Sequence, residues 1–367
     1  MTFALIVVFV LYGLLVLFLY IGWGKAIARK QNDLYSDYHT MSVIVPVRNE
    51  ESVVGALVTD LIGQNYQGEF EIIFVDDHSE DSTPMVIQDA IKTFTFCSIV
   101  RSPGSGKKSA ITAGIQKAKG EIIVTTDGDC RVSENWLQTI NLSFINDSVK
   151  MLTGAVKIEP DKSVFSKMQS IEFSSLIGSG AATLAFGIPT MCNGANLAFR
   201  KNVFEEVEGY KGNEAVASGD DEFLMRKVAA RYPKSIMFNN LWGSIVATES
   251  SKSLMQFLAQ RLRWAGKWKH HHDLSTKLLG LFIFIFHTSV VSLPFLYYLN
   301  PPAGDMLLAL FISKVILEYL LLNRITSWLG VRWDWLSFIL LQFLYPVYAM
   351  IIGLGSLFIS PVWKGRK

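Results

Sequence analysis

Cysteine is scarce in this 367-residue chain, with only Cys97, Cys130 and Cys192, far apart and odd in number. Without zinc-type spacing, they argue against a disulfide framework and fit a reduced compartment. Long basic runs are also missing. Lys and Arg total 34 against 32 Asp and Glu, a net charge of +2, so no nucleic-acid partner is expected. No Lys or Arg precedes the first apolar run and no small-residue cleavage site follows it, unlike a secretory signal peptide. Internal repeats and low-complexity tracts are absent too.

Apolar residues are abundant. Half the chain is hydrophobic, too much for an ordinary soluble protein, while the middle is too charged for a pure membrane bundle. Residues 3–23 are almost unbroken Leu, Val, Ile, Phe and Tyr, long enough to cross a bilayer as an uncleaved anchor. Lys25, Arg29 and Lys30 follow, which places the start outside and the next segment in the cytoplasm. Three further apolar stretches span 278–299, 306–322 and 336–359. Lys267, Lys269 and Lys277 precede the first, and 300–305 reads as a breaker turn. Lys314 and Glu318 lie four apart on one helix face, spaced to pair within a bundle. Arg324 and Arg332 mark a return to the inside. Pro346 predicts a kink. The last stretch leaves Lys364, Arg366 and Lys367 outside, against the charge rule. Either it is re-entrant or interfacial, or its tail is tolerated.

The expected organisation is a transmembrane anchor at 1–24, an α/β domain at 38–250, an interfacial helix at 251–272 and a membrane region of about three helices at 277–360. The chain is expected to be integral to a membrane, a bacterial inner membrane, with its α/β domain cytoplasmic.

Within the α/β domain, strand-like runs at 42–47, 71–75 and 121–126 alternate with helix-like runs at 51–62, 83–93 and 108–119. This βαβ rhythm implies a parallel sheet. Ligands of such sheets bind beyond the carboxyl ends of the strands. The polar strings 46–50, 76–79 and 127–129 fall there.

Asp127-Gly128-Asp129 offers two hard carboxylates, as a divalent cation shared with phosphates requires; a plain strand-ending turn also accounts for it. Asp76 and Asp77 are placed to accept hydrogen bonds from a nucleobase or ribose, and one of them alternatively caps the helix near Thr83. Gly104-Ser105-Gly106-Lys107-Lys108-Ser109 resembles a phosphate loop, but Arg101 stands where its first Gly is required and no strand-to-helix entry is evident. Lys107 still suits a diphosphate. Asp220 and Asp221 open an amphipathic run, as a general base or as helix caps; crowding by other carboxylates would raise the pKa of such a base. Cys192-Asn193-Gly194-Ala195-Asn196 reads as an acceptor pocket or as a turn into a strand. Gln260-Arg261-Leu262-Arg263-Trp264 falls on an amphipathic membrane-surface helix with the stripe Leu254, Phe257, Leu258 and Leu262. His270, His271 and His272 are consecutive and converge poorly on one metal.

In this order the motifs resemble the membrane-anchored family-2 inverting glycosyltransferases, which include ceramide glucosyltransferase and the poly-N-acetylglucosamine, hyaluronan and cellulose synthases. The resemblance covers about residues 41–268. It implies a GT-A fold, a nucleotide-sugar-binding, Rossmann-like mixed sheet. By it, Asp76 and Asp77 contact the nucleoside, and Lys107 touches the donor nucleotide. Pro46 and Glu50 belong to the donor side. Asp127 and Asp129 match the Asp-x-Asp that holds Mg²⁺ or Mn²⁺ through the donor diphosphate. Asp221 matches the catalytic base, with Asp220 where Glu is usual. Gln260, Arg263 and Trp264 match a Q-x-x-R-W motif on the diphosphate, Trp264 also reaching the acceptor end beside Asn193, Gly194 and Asp220.

The implied partners are a nucleotide-sugar, with UDP favoured, a lipid or glycan acceptor, and the bilayer. A processive polysaccharide synthase and a non-catalytic membrane scaffold are the competing readings. Product length separates single transfer from polymer synthesis, and the complete set of acids weighs against the scaffold.

Overall fold

The computed structural model describes residues 2–28, 37–213, 218–266, 274–299 and 304–358. The strands are β1 (Met41–Val47), β2 (Phe70–Asp76), β3 (Cys97–Arg101), β4 (Ile122–Thr125), β5 (Met151–Thr153), β6 (Val156–Glu159), β7 (Leu197–Arg200), β8 (Ile236–Phe238) and β9 (Val246–Glu249). The α/β domain and its edge carry helices α2 (Val54–Ile62), α3 (Thr83–Ile91), α4 (Lys107–Lys117), α5 (Trp136–Phe144), α6 (Val164–Leu184), α7 (Lys201–Glu206), α8 (Asp220–Arg231) and α9 (Leu254–Ala265). Helices α1 (Thr2–Ile27), α10 (Leu274–Leu299), α11 (Gly304–Leu329) and α12 (Trp335–Phe358) flank it.

Among the described residues, seven strands form one sheet in the order β3-β2-β1-β4-β7-β5-β8. β3, β2, β1 and β4 pair in parallel, as the βαβ rhythm implies. β7 runs antiparallel to both β4 and β5, which makes the sheet mixed, as the resemblance implied. The reason is a tertiary contact. The turn before β7 is held at the carboxyl end of β4, where Thr125 Oγ1 donates to the Gly194 carbonyl at 2.7 Å. A strand that starts where β4 ends runs back along it, and Leu197 pairs with Thr125. β6 and β9 make a separate two-stranded parallel ribbon.

Alternation along the strands feeds two core layers. Val43, Val45 and Val47 pack with Leu57, Ile87 and Trp136 on one face. Ile44, Ile73 and Val75 pack with Ile111, Leu224 and Val228 on the other. Both faces of β1 are covered, so the strand is buried at every position rather than alternately exposed.

Among the described residues, three helices are long and apolar enough to cross a membrane: Phe3–Ile27, Thr276–Leu299 and Trp335–Phe358. α11 is as long but carries Asp305, Lys314, Glu318 and Arg324, and it falls outside that group. Its Lys314–Glu318 pair forms at 3.0 Å. Pro346 lies inside a continuous α12. Side-chain hydrogen bonds fasten this bundle to the domain. Asn240 Nδ2 donates to the Ile27 carbonyl at 3.0 Å, Arg226 to Thr276 Oγ1 at 3.4 Å, and Lys167 to Asp334 at 2.6 Å. The end of α1, the start of α10 and the α11–α12 connection therefore all abut the domain. Lys267, Lys269, His270, His271, His272 and the tail with Lys364, Arg366 and Lys367 lie outside the described residues.

Candidate active site

A cavity of about 1630 Å³ opens at the carboxyl ends of β1 and β4 and continues between α1, α6, α10 and α12. Pro46, Glu50, Lys107, Asp127, Asp129, Asn193, Gly194, Asp220, Asp221, Gln260, Arg263 and Trp264 all line it. Residues from six separate stretches thus meet in one place.

Lys107 is the electrostatic centre of its polar end. The phosphate-like loop does have a strand-to-helix entry, contrary to the sequence expectation: β3 leads through 102–106 into α4, whose first residue is Lys107. The entry is hard to read because β3 is an edge strand, partly exposed and without an apolar run. Lys107 Nζ lies 2.6 Å from Asp127 Oδ1 and 3.5 Å from Asp220 Oδ2. Burial works against its charge, but Asp127, Asp220 and Asp221 outweigh it and hold the ammonium well above the ordinary lysine range.

Asp221 sits in the first turn of α8. Its Oδ2 accepts the Gly194 N–H at 3.1 Å and its Oδ1 accepts the Glu222 N–H at 2.7 Å, which fixes the carboxylate against the 193–196 turn. A Cβ on Gly194 would lie 2.8 Å from Asp220 Oδ2, so a side chain there would displace that carboxylate. Gly128 is constrained more tightly: a Cβ there would lie 2.0 Å from Glu50 Oε2. The two turns place the acids of β4 and α8 around one ammonium.

Asp76 and Asp77 do not line the cavity. Asp76 Oδ1 accepts the Ser79 N–H at 2.9 Å. Asp77 is fully buried, and both its oxygens lie 3.0 Å from the Gly106 N, pinning the loop that presents Lys107. Neither caps α3; Asp81 receives the Thr83 N–H and hydroxyl.

The Gln260–Trp264 segment lies on α9. Leu254 is 58% exposed, whereas Phe257 and Arg261 are buried. A buried charge pair ties the helix to the domain. Arg261 makes a two-pronged pair with Glu172 of α6, at 3.1 and 2.5 Å. Its guanidinium also lies 4.4 Å from the Trp264 ring centre and 4.6 Å from that of Phe257. Burial lowers the Arg263 pKa, opposed by Asp220, Asp127 and Asp221, and Arg263 lines the same cavity as these acids. Glu172 was not among the sequence candidates. Its signal is a lone carboxylate in the apolar and small-residue run 171–184.

Residues 42–208 match the sequence model described as Glycosyl transferase family 2. The chain is similar to a beta-monoglucosyldiacylglycerol synthase of Trichormus variabilis, 24% identical over 253 residues, covering 66% of this chain and 52% of that one. It is also similar to a poly-beta-1,6-N-acetyl-D-glucosamine synthase of Staphylococcus epidermidis, 28% identical over 173 residues, 46% of this chain and 41% of that one. The chain thus spans about half the length of the curated relatives it matches. Among solved structures, a mannosyltransferase from Pyrobaculum calidifontis in complex with GDP-Man and Mn²⁺ superimposes with a TM-score of 0.58 at 16% identity. It covers 98% of this chain and 99% of that one. This likeness shows the fold, and the mixed sheet is the GT-A arrangement.

Proposed function

We propose that this chain, which carries a glycosyl transferase family 2 domain, moves a sugar from a nucleotide-sugar, a UDP-sugar by the motif set, to a lipid or lipid-linked acceptor. Transfer takes place at the cytoplasmic face of the membrane and inverts the anomeric centre. One observation carries the lipid reading. The cavity that holds Lys107, Asp127 and Asp221 is also lined by Leu15 and Leu19 of α1, Phe284 of α10 and Ile352 of α12. A polar reaction end open to apolar helices suits an acceptor with a hydroxyl at one end and hydrocarbon at the other. The glucosyldiacylglycerol relative supports the same reading by its name.

A divalent cation fits the residues present. Asp127 and Asp129 both face the cavity, and Mg²⁺ typically takes one or two carboxylates together with substrate phosphates. Mn²⁺ accompanies GDP-Man in the mannosyltransferase. When bound, the ion supplies positive charge to the leaving diphosphate. Lys107 and Arg263 supply further positive charge from the protein, held in place by the acids around them. Asp221 takes the proton of the acceptor hydroxyl as that oxygen attacks the anomeric carbon. The Gly194 and Glu222 N–H groups keep its carboxylate aimed during the step. Asp77 acts at one remove, by holding the Gly106 backbone and hence Lys107.

Asp221→Asn tests this assignment. Transfer should fall by about 10²–10⁴-fold, the range for a general base, while nucleotide-sugar affinity measured by titration stays near wild type. Loss of donor binding in that variant would remove Asp221 from the base role.

A further inference from the structure

Beyond its acidic end the cavity reaches a polar cluster that sugar transfer does not use. Tyr12 Oη donates to Glu318 Oε1 at 2.6 Å. Lys314 Nζ lies 3.0 Å from Glu318 Oε2 and donates to Gln342 Oε1 at 2.6 Å. His287 stands beside them, its ring 5.2 Å from that of Tyr345 and 6.5 Å from that of Tyr12. Tyr12, His287, Glu318, Gln342 and Tyr345 all line the cavity.

The charged members of this cluster satisfy one another. His287 is different: it is 2% exposed, and its Nδ1 has no hydrogen-bond partner among the described residues. A buried ring nitrogen left unmet is unfavourable, and a polar group entering the cavity removes that penalty. Ionisable residues inside membrane helices commonly mark ligand sites. The depth is defined by α10. Lys277 and His287 both line the cavity ten residues apart, about 15 Å at the helical rise. Between these levels the walls include Leu15, Leu19, Phe284 and Leu321. A ligand that reaches His287 is therefore apolar for most of its length and carries one hydrogen-bonding group far from its reacting end.

Resting on the lipid reading above, we infer that His287 binds a hydroxyl carried within the hydrocarbon chain of the acceptor, so that the site selects lipids with hydroxylated chains. His287 is then a specificity residue, remote from the reacting atoms.

Dioleoylglycerol and diricinoleoylglycerol, which differ by one mid-chain hydroxyl on each acyl chain, are suitable probes. Binding of each to the purified full-length protein is measured by native mass spectrometry, for the wild type, Asp221→Asn and His287→Leu. The hydroxylated lipid should bind about fivefold better to the wild type, the preference equivalent to one net hydrogen bond. Asp221→Asn should keep that preference, because no transfer is needed. His287→Leu should lose it while still binding dioleoylglycerol, which also shows that the variant is folded. Equal binding of both lipids by the wild type would overturn the hydroxyl subsite and leave the lipid-acceptor reading standing. Binding of neither lipid would overturn both. A preference that survives in His287→Leu would remove His287 from the role.

Discussion

Glu172→Gln is a sharp perturbation of the site because it changes one charge and almost no volume. The Glu172 and Arg261 side chains are 4% and 3% exposed, and two hydrogen bonds join them. Removing the carboxylate charge strands a buried guanidinium. Breaking such a pair from one side costs about 3–5 kcal/mol. Arg261 keeps its stacking on Trp264 and Phe257 in the variant. The lower end therefore applies, about 3 kcal/mol, or a fall of about 10 °C in melting temperature for a domain of this size. The same pair sets the rotation of α9, so Arg263 and Trp264 lose their fixed place and transfer falls by up to about a hundredfold. Melting in detergent, followed by tryptophan fluorescence, and a transfer assay on the folded fraction read the two effects separately. The double variant Glu172→Leu with Arg261→Met strands no charge and should recover most of the stability. A change of under about 0.5 kcal/mol in Glu172→Gln, as for an ordinary surface substitution, would refute the reasoning.

Further expectations concern two glycines and two cysteines. Gly128→Ala places a methyl 2.0 Å from Glu50 Oε2, so donor binding should weaken at least tenfold by titration; near-normal affinity would mean the turn is not held as described. Gly194→Ala meets Asp220 Oδ2 at 2.8 Å beside Asp221, and should lower kcat at least tenfold with donor affinity kept, which paired kinetics and titration check. Burial pushes the Cys97 thiol up to about 11. In Cys192→Ser its alkylation rate should therefore keep rising with pH through about 10, past the point near 9 where an ordinary thiol levels off; an early plateau would contradict this. Cys130, pushed well above the usual range by burial and then by Asp129 and Asp127, should stay unlabelled.

Much of the fold was legible in the sequence because the strands are short, apolar and regularly interrupted. β1, β2 and β4 lie within a residue or two of where the pattern put them. β7 was not read as antiparallel, because a four-residue strand carries no mark of direction. Its course is set by a turn held at Thr125, a contact between residues 69 apart. At the site, carboxylates at strand ends were readable by type and position, and the structure brings Asp127, Asp129, Asp220 and Asp221 to one cavity. Asp77 shows the limit. Its residue type suits a ligand, yet its carboxylate holds the backbone that presents Lys107, which only tertiary contacts reveal. Arg261 shows another. Periodicity finds the apolar stripe of α9, but the pairing of Arg261 with a buried carboxylate 89 residues away, Glu172, is visible only in the tertiary structure.

The most direct test of the central claim is product analysis. Purified full-length protein is incubated with Mn²⁺ or Mg²⁺, a panel of UDP- and GDP-sugars and total membrane lipid, and the lipid extract is read by mass spectrometry. The account predicts a lipid that gains the mass of a single sugar with one donor, with matching release of nucleoside diphosphate, and no such product from Asp221→Asn. A ladder of masses, a polymer that resists lipid extraction, or no product with any donor would contradict it.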